Sequence, residues 1–362
     1  MVKVVHLTSA HPTQDVRIFY KQCRSLQQAG YEVAIIGQSE KDYLQDNIQI
    51  YSIPKIRSRF KRMAIIPWKI YWKAIKIDAA VYHFHDPELI PIGLLLRFHG
   101  KRVIYDVHED LPRDVLLKSW LPRFIRSPLG CLLGAIEYLA SKFFDHVVTV
   151  TPHISQRFSH TRVTEVRNYP IITDFLMPNP QQPFLCYAGL LTVQRGLHEM
   201  MQVAEATNTP LLLAGRKNKT ISISSGAKQV TYLGNLDPAT LASVYSQSFA
   251  GFALLHPGPT FNLALPIKLF EYMAAGIPVI ASNFDLWRDI IEKHDCGFCI
   301  DPFDIEGICE KVNFLKLNPE VAREMGQRGR DAVKLHYNWE GEARKLIAVY
   351  GSLANFIPSS VS

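Results

Sequence analysis

With 362 residues, 48% of them apolar, the chain has material for two domains of ordinary size, each with a substantial core. The net charge of +7 is unequally carried: residues 1–171 hold 24 Lys and Arg against 15 Asp and Glu, residues 172–362 hold 16 against 18, and the excess of +9 and deficit of −2 sum to the total. A polyanionic partner is therefore expected for the first half alone, while six scattered cysteines, including a lone Cys296/Cys299 pair with no second pair nearby, argue against a disulfide framework or a zinc site.

The first residues, VKVVHLTS, read as a strand rather than a signal peptide, so a cytosolic protein is expected. No stretch reads as a membrane span, since the uncharged run before residue 267 is broken by Pro257, Gly258, Pro259 and Asn262. Strands are predicted at 3–8, 31–37, 48–53, 80–84, 101–107 and 147–150, with a last one near Arg167. Between them helices are predicted at 17–29, 63–77, 89–98, up to 144, and 153–159, which gives a parallel sheet covered on both faces. Four prolines between Tyr169 and Pro183 mark a boundary. The alternation restarts with strands at 184–188, 211–214, 230–233, 251–255, 279–281 and 298–300, and ends in helices at 319–337 and 339–353. Charged and polar residues collect just after strands: His85 and Asp86, His108 and Glu109, and the run from Gly189 to Arg195.

The stretch LPIKLFEYMAAGIPVIA, 265–281, reads as a helix opened by Pro266, stopped by Gly276 and Pro278, and followed by a buried strand. Lys268 and Glu271 project together from it. A cation in the first turn opposes the helix dipole, and Lys before Glu is the poorer order for an ion pair; an anion bound at the helix mouth would explain it. A carboxylate one turn on can accept two hydrogen bonds from a diol such as ribose. The helix alone is equally compatible with a solvated surface pair.

PIKLFEYMAAGIPVIAS, together with DVRIFYKQCRSLQQAGYEV, HDPELIPIG, YDVHED and Asn-Trp-Glu at Trp339, resembles the family 4 retaining glycosyltransferases of the GT-B fold found in bacterial polysaccharide assembly. The resemblance implies an α/β chain of two doubly wound, Rossmann-like parallel-sheet domains facing a cleft. Its N-terminal, acceptor-binding domain would span 1–170, a linker 171–183, and the nucleotide-sugar domain 184–340. A C-terminal helix in 341–362 would pack back toward the first domain. By position, Glu271 matches the family's ribose-binding Glu and Arg195 the Lys that grips the diphosphate, with Gly189 beside the donor. The family's usual Arg after the strand Gly is Leu190 here, and the first Glu of its acidic motif is Leu263; Lys268 is expected to replace the missing cation. A usual Gly-rich first loop is replaced by residues 10–16. His108 matches the histidine that faces the transferred sugar, with Glu109 orienting it, although the residues alone favour a strand-end side chain with a local hydrogen bond. Asp15, Arg17, His85 and Asp86 are candidates to line the cleft, Asp15 and Arg17 reading equally as a helix-terminal acid and a surface cation.

No metal is expected, because His83 and His85 share a strand face without a visible third ligand, and no nicotinamide, because no GxGxxG follows the first strand; no cofactor is implied. The function implied is transfer of a sugar from a nucleotide diphosphate sugar to an acceptor hydroxyl, on a glycan or polyprenyl-diphosphate-linked acceptor. An epimerase of the same fold and a non-catalytic sugar-nucleotide-binding subunit are the alternatives. Eight basic residues between Lys55 and Lys76 interleave with Phe60, Met63, Ile65, Ile66, Trp68, Tyr71 and Trp72, and a second mixed stretch runs from Arg113 to Arg126. Both suit an anionic membrane surface, and the expected location is the inner face of the membrane; nucleic acid is not expected.

Overall fold

The computed structural model describes residues 1–56, 58–116, 118, 121–178, 184–217, 223, 228–258 and 261–354, and the chain divides into two compact units. The first holds Met1–Asn168 and the chain from Glu340 on; the second holds Tyr169–Trp339.

The first unit is an eight-stranded sheet in the order β3-β4-β2-β1-β5-β6-β7-β8. Its strands are β1 (Lys3–Pro12), β2 (Glu32–Gln38), β3 (Tyr43–Gln45), β4 (Ile48–Ile53), β5 (Val81–Phe84), β6 (Arg102–Val107), β7 (His146–Thr149) and β8 (Val163–Glu165). All pairings are parallel except β3 with β4. That hairpin was not expected, yet its signal is local: Asp46 and Asn47 both take positive φ, as a two-residue hairpin turn requires. Connections are made by α1 (Arg24–Gln28), α2 (Arg59–Ile77), α3 (Ile90–Phe98), α4 (Leu111–Leu116), α5 (Arg123–Ser141) and α6 (Pro152–Arg157). α2 starts four residues before its predicted position and carries Pro67 in its interior. Ile66, Ile70, Tyr71 and Ala74 are its buried stripe, one to two turns apart, and join the sheet core with Tyr82, Phe84 and Tyr105.

The predicted helix 17–29 divides in two: a π-helical segment, Val16–Cys23, precedes α1. Asp15 caps it, accepting from the Arg17 and Ile18 amides, and the Tyr20 amide reaches back five residues to the Asp15 carbonyl. Arg17, Lys21 and Gln22 are thereby buried against the sheet.

The second unit is a six-stranded, wholly parallel sheet in the order β11-β10-β9-β12-β13-β14. Its strands are β9 (Phe184–Ala188), β10 (Leu211–Ala214), β11 (Val230–Gly234), β12 (Ser248–Ala253), β13 (Val279–Ser282) and β14 (Gly297–Ile300). Around it lie α7 (Leu197–Ala206), α8 (Pro238–Gln247), α9 (Ile267–Ala275), α10 (Asp285–Ile291), α11 (Ile305–Leu317) and α12 (Pro319–His336), and α13 (Trp339–Ala354) carries the chain into the first unit. Gly276 ends α9 in the left-handed conformation, φ 74°. α12 crosses it so closely that a Cβ on Gly326 would lie 1.8 Å from the Gly276 carbonyl oxygen.

Each sheet reverses direction beside its first strand, between β1 and β5 and between β9 and β12. In open parallel sheets the crevice beyond the strand ends at such a reversal is where ligands bind.

Candidate functional site

At the β9/β12 reversal of the second unit, β9 runs into Gly189 and then a single 3-10 turn, Val193–Arg195. Gly196 follows with φ 72°, where a Cβ would meet the Leu254 carbonyl at 2.1 Å, so only glycine lets the chain turn there into α7. Arg195 is half-buried and hydrogen-bonds the Tyr187 hydroxyl. Beside it the His256 amide donates to the Gln194 carbonyl, and His256 Nε2 lies 3.1 Å from Glu199.

α9 begins after Pro266, which stands just outside the helix with φ −69° and ψ 132° rather than inside its first turn. Lys268 Nζ lies 2.6 Å from Glu271 Oε2, and the Tyr245 hydroxyl, from α8, donates to the same oxygen at 2.8 Å. Lys268 also reaches that hydroxyl, at 3.3 Å. Lys268 and Glu271 thus pair despite their unfavourable order, because Tyr245 closes the triangle. Burial and then the Glu271 charge push the Tyr245 phenol well above its usual range, so it stays a donor. Side-chain exposures of 24% and 17% leave this pair open to an incoming ligand.

In the first unit, parallel register sets His6 beside His83 and brings His85 and Asp106 onto the same face. Asp106 is fully buried and grips Arg17 through two bonds, to Nε at 3.0 Å and a terminal nitrogen at 2.9 Å, while Gln22 donates at 2.6 Å. Burial alone would raise the Asp106 carboxyl; Arg17 and the histidines His85 and His108 outweigh it and hold it well below its usual range. His6 Nδ1 is 2.9 Å from His85 Nε2, and the Tyr350 hydroxyl of α13 bridges His83 Nδ1 at 2.7 Å and His6 Nε2 at 3.2 Å. Burial first, then neighbouring imidazoles, lowers His6 and His83 well below the ordinary imidazole range, so both are neutral.

At the β1/β5 reversal, one Asp86 oxygen accepts from Thr8 Oγ1 at 2.8 Å, the Ser9 amide at 2.7 Å and the Ala10 amide at 3.3 Å. That carboxylate anchors the irregular end of β1, where the chain leads into the segment that replaces a Gly-rich loop. The irregular end of β1 presents His11, whose Nε2 is 3.0 Å from His108 Nε2. A small cavity here is lined by His11, His85, Asp86, Asp106, His108 and Glu109 together with apolar neighbours such as Val107 and Leu111.

The structure therefore gathers His85, Asp86, His108 and Glu109 at one reversal, and turns Arg17 inward, 4% exposed, with Asp15 as a helix cap. Glu109 is exposed at the rim. Leu190 is exposed, and the Leu263 side chain lies outside the described residues. His6 supplies the third histidine that spacing did not reveal beside His83 and His85, with ring nitrogens within 4.8 Å. Within this group His6 Nδ1 and His85 Nε2 are paired with each other at 2.9 Å, and the Tyr350 hydroxyl takes up His83 Nδ1. Sequence reasoning also missed His11, Asp106 and Tyr245. Only Asp106, inside YDVHED, had a local signal; the other two need the fold.

Two family models match successive parts of the chain: Glycosyltransferase Family 4 over residues 16–168 and Glycosyl transferases group 1 over 171–332. D-rhamnosyltransferase WbpZ of Pseudomonas aeruginosa is 22% identical over 70% of this chain and 68% of its own. O-antigen chain mannosyltransferase C of Escherichia coli is 23% identical over 72% and 71%. Among solved structures, sucrose-phosphate synthase from Thermosynechococcus elongatus superposes with a TM-score of 0.76 at 17% identity, covering 98% of this chain and all of that one. Anabaena HepE in complex with UDP-glucose gives 0.71 at 10% identity, covering 97% and 100%.

Proposed function

We infer that this chain, which belongs to the family 4 glycosyltransferases of the GT-B fold, moves a sugar from a nucleotide diphosphate sugar to an acceptor hydroxyl with retention at the anomeric carbon. The observation that carries this reading is the Lys268, Glu271 and Tyr245 triangle at the mouth of α9, inside the half matched by the group 1 model. A partly exposed ion pair of this kind contributes about 0–1 kcal/mol, so a donor can divide it at little cost. Lys268 then turns to the diphosphate and Glu271, still held by Tyr245, accepts from the ribose diol. Arg195, beside Gly189, adds the second cation on the leaving group, where negative charge grows as the glycosidic bond breaks. In the first unit His108 faces the transferred sugar, with Asp86 and Glu109 around it; Arg17, His85 and Asp15 act through the loop and strands they hold.

The names of two relatives, a rhamnosyltransferase and an O-antigen chain mannosyltransferase, support a glycan acceptor in cell-surface polysaccharide assembly. A lipid-linked acceptor, and a working place at the inner face of the membrane, fit the basic and apolar surface of the first unit. The decisive assay offers UDP-, GDP- and dTDP-sugars with and without a lipid-linked glycan extract. One donor should release nucleotide only with acceptor, and NMR of the product should show the donor's anomeric configuration. An altered sugar still on its nucleotide would instead make the chain an epimerase, and nucleotide binding without turnover would make it a binding subunit.

A further inference from the structure

A cavity of 670 Å³ opens on the first unit at the edge of its sheet opposite to His85 and His108. Those two follow the ends of β5 and β6, whereas Arg102 opens β6, Asp145 precedes β7 and Arg162 precedes β8. The six residues of β6 set the two edges about 20 Å apart. Arg97, Arg102, Lys142, His160 and Arg162 line this cavity, and Asp145 is the one acid among the described residues around it. Asp145 is fully used within the fold. Its side chain is 5% exposed, accepts from the Val103 amide at 2.9 Å and from Arg102 at 2.7 Å, and lies 3.3 Å from Arg97 Nε. Arg97 Nε also donates to the Phe143 carbonyl just past α5, at 3.2 Å, which answers the negative end of that helix. Both guanidinium groups are thus fixed by a buried carboxylate while staying partly open to the cavity they line.

This network does not account for Lys142 and Arg162. Both are exposed, and neither has a carboxylate within ion-pair distance among the described residues; Lys142 lies 4.7 Å over the Tyr138 ring. Four full cations around one carboxylate leave a surplus of three positive charges, before His160 is counted. Like charges gathered this way repel, so the fold alone gives no reason for the last two. Fixed N–H donors around a concave, positive space are the complement of a phosphate group, which offers several anionic oxygens at once. Phe98 follows Arg97, and Leu139 and Phe143 stand on either side of Lys142 in sequence; all three are exposed, by 87%, 56% and 62%. We propose that this cavity binds a phosphate group, distinct from any bound by the second unit. A phospholipid headgroup and a soluble phosphate ester share that chemistry, and the outward apolar side chains beside the cations favour the lipid. The site lies within the first unit and uses none of the residues assigned to sugar transfer, so it stands or falls independently of the transferase reading.

The test reads Lys142 directly. The full chain is acetylated briefly with acetic anhydride, and labelling of each lysine is followed by peptide mass spectrometry. One arm compares inorganic phosphate with sodium chloride at matched ionic strength; the other compares phosphatidylglycerol vesicles with phosphatidylcholine vesicles. Phosphatidylglycerol should shield Lys142, and phosphatidylcholine should not. Arg162→Gln, an exposed and unpaired position whose urea midpoint should match the parent, should raise the half-shielding concentration at Lys142 by about tenfold, the loss of one charge-assisted bond. Lys61→Gln with Lys69→Gln removes two equally exposed cations from α2 and should change it far less. Shielding of Lys142 by inorganic phosphate alone, with the same dependence on Arg162, would uphold the site and make its ligand soluble. Equal losses in the Arg162 and α2 variants would show diffuse attraction only, and Lys142 unshielded in both arms would show no site; either result overturns the proposal.

Discussion

Glu271 is the residue on which the donor reading can be tested most directly. Its carboxylate keeps one bond from Tyr245 and exchanges Lys268 for a ribose diol, so Glu271→Ala should weaken nucleotide binding by about 1–3 kcal/mol in calorimetry. Unchanged affinity would remove it from the site. The buried histidines make a different prediction, about pH. His6 and His83 are neutral when folded, and unfolding returns them to an ordinary value near 6.5. Below that value the unfolded chain binds more protons than the folded one, so stability is full above about pH 6.5 and falls as the pH drops. Each group adds a slope of up to about 1.4 kcal/mol per pH unit. His146, lowered to about 4 by burial and then Arg162, adds to the loss between 6.5 and 4. Asp106, held below its usual range, adds its own loss only at still lower pH. Urea midpoints should therefore decline steadily from pH 7 to pH 5, and Tyr350→Phe, which strips His83 and His6 of a shared hydroxyl, should cost about 1–3 kcal/mol at pH 7.

At the scale of elements, α9 depends on the helix that crosses it. Arg330 of α12 donates to the Ala274 carbonyl, near the C-terminus of α9, and to the Phe175 carbonyl at 3.2 Å. Gly326 sits where no Cβ fits. Gly326→Ala should push α12 outward and cost about 1–3 kcal/mol, and, because α9 carries Lys268 and Glu271, it should weaken nucleotide binding without touching the ligand. A variant as stable as the parent would show that the crossing is looser than 1.8 Å implies. The elements most legible in the sequence were the strands, since buried parallel strands are short apolar runs cut off by Gly, Pro and charge. β9 and β10 have the predicted bounds. The π-helical segment was not legible: its register depends on Arg17 and Gln22 finding Asp106, which is 89 residues from one and 84 from the other.

For the molecule as a whole, the question is what the positive first half meets. Among the described residues no helix is long and apolar enough to cross a membrane. α2 nevertheless exposes Met63, Ile65, Trp68 and Trp72 among its basic residues, whereas Ile66 and Tyr71, read as part of the same surface, are core. Of the second stretch, Leu116 and Phe124 are exposed, and Leu117 and Trp120 lie outside the described residues, as does Arg57 of the first. α5 also exposes Leu132, Ile136 and Leu139, and Phe143 just beyond it is exposed as well. At about 1 kcal/mol per basic residue near an anionic leaflet, the chain should sediment with anionic vesicles, not with neutral ones, and come off as salt rises. Trp68→Ser with Trp72→Ser should reduce binding at every salt concentration. Equal recovery in the supernatant with both vesicle types would sink the membrane reading and leave the transferase reading standing.

By itself the sequence determined the α/β class, the alternation of strands and helices, and the helix that bears Lys268 and Glu271, because each of these is written in periodicity, capping and turn residues within a few positions of one another. It also placed His85, Asp86, His108 and Glu109 at strand ends, since parallel strands finish at one edge. Only the tertiary structure decided which of these groups meet. Register put His6 beside His83, the chain's return through α13 brought Tyr350 onto both, and the irregular end of β1 carried His11 to His108. Such contacts span 97 residues in one case and 344 in another, and no local pattern encodes a partner at that distance.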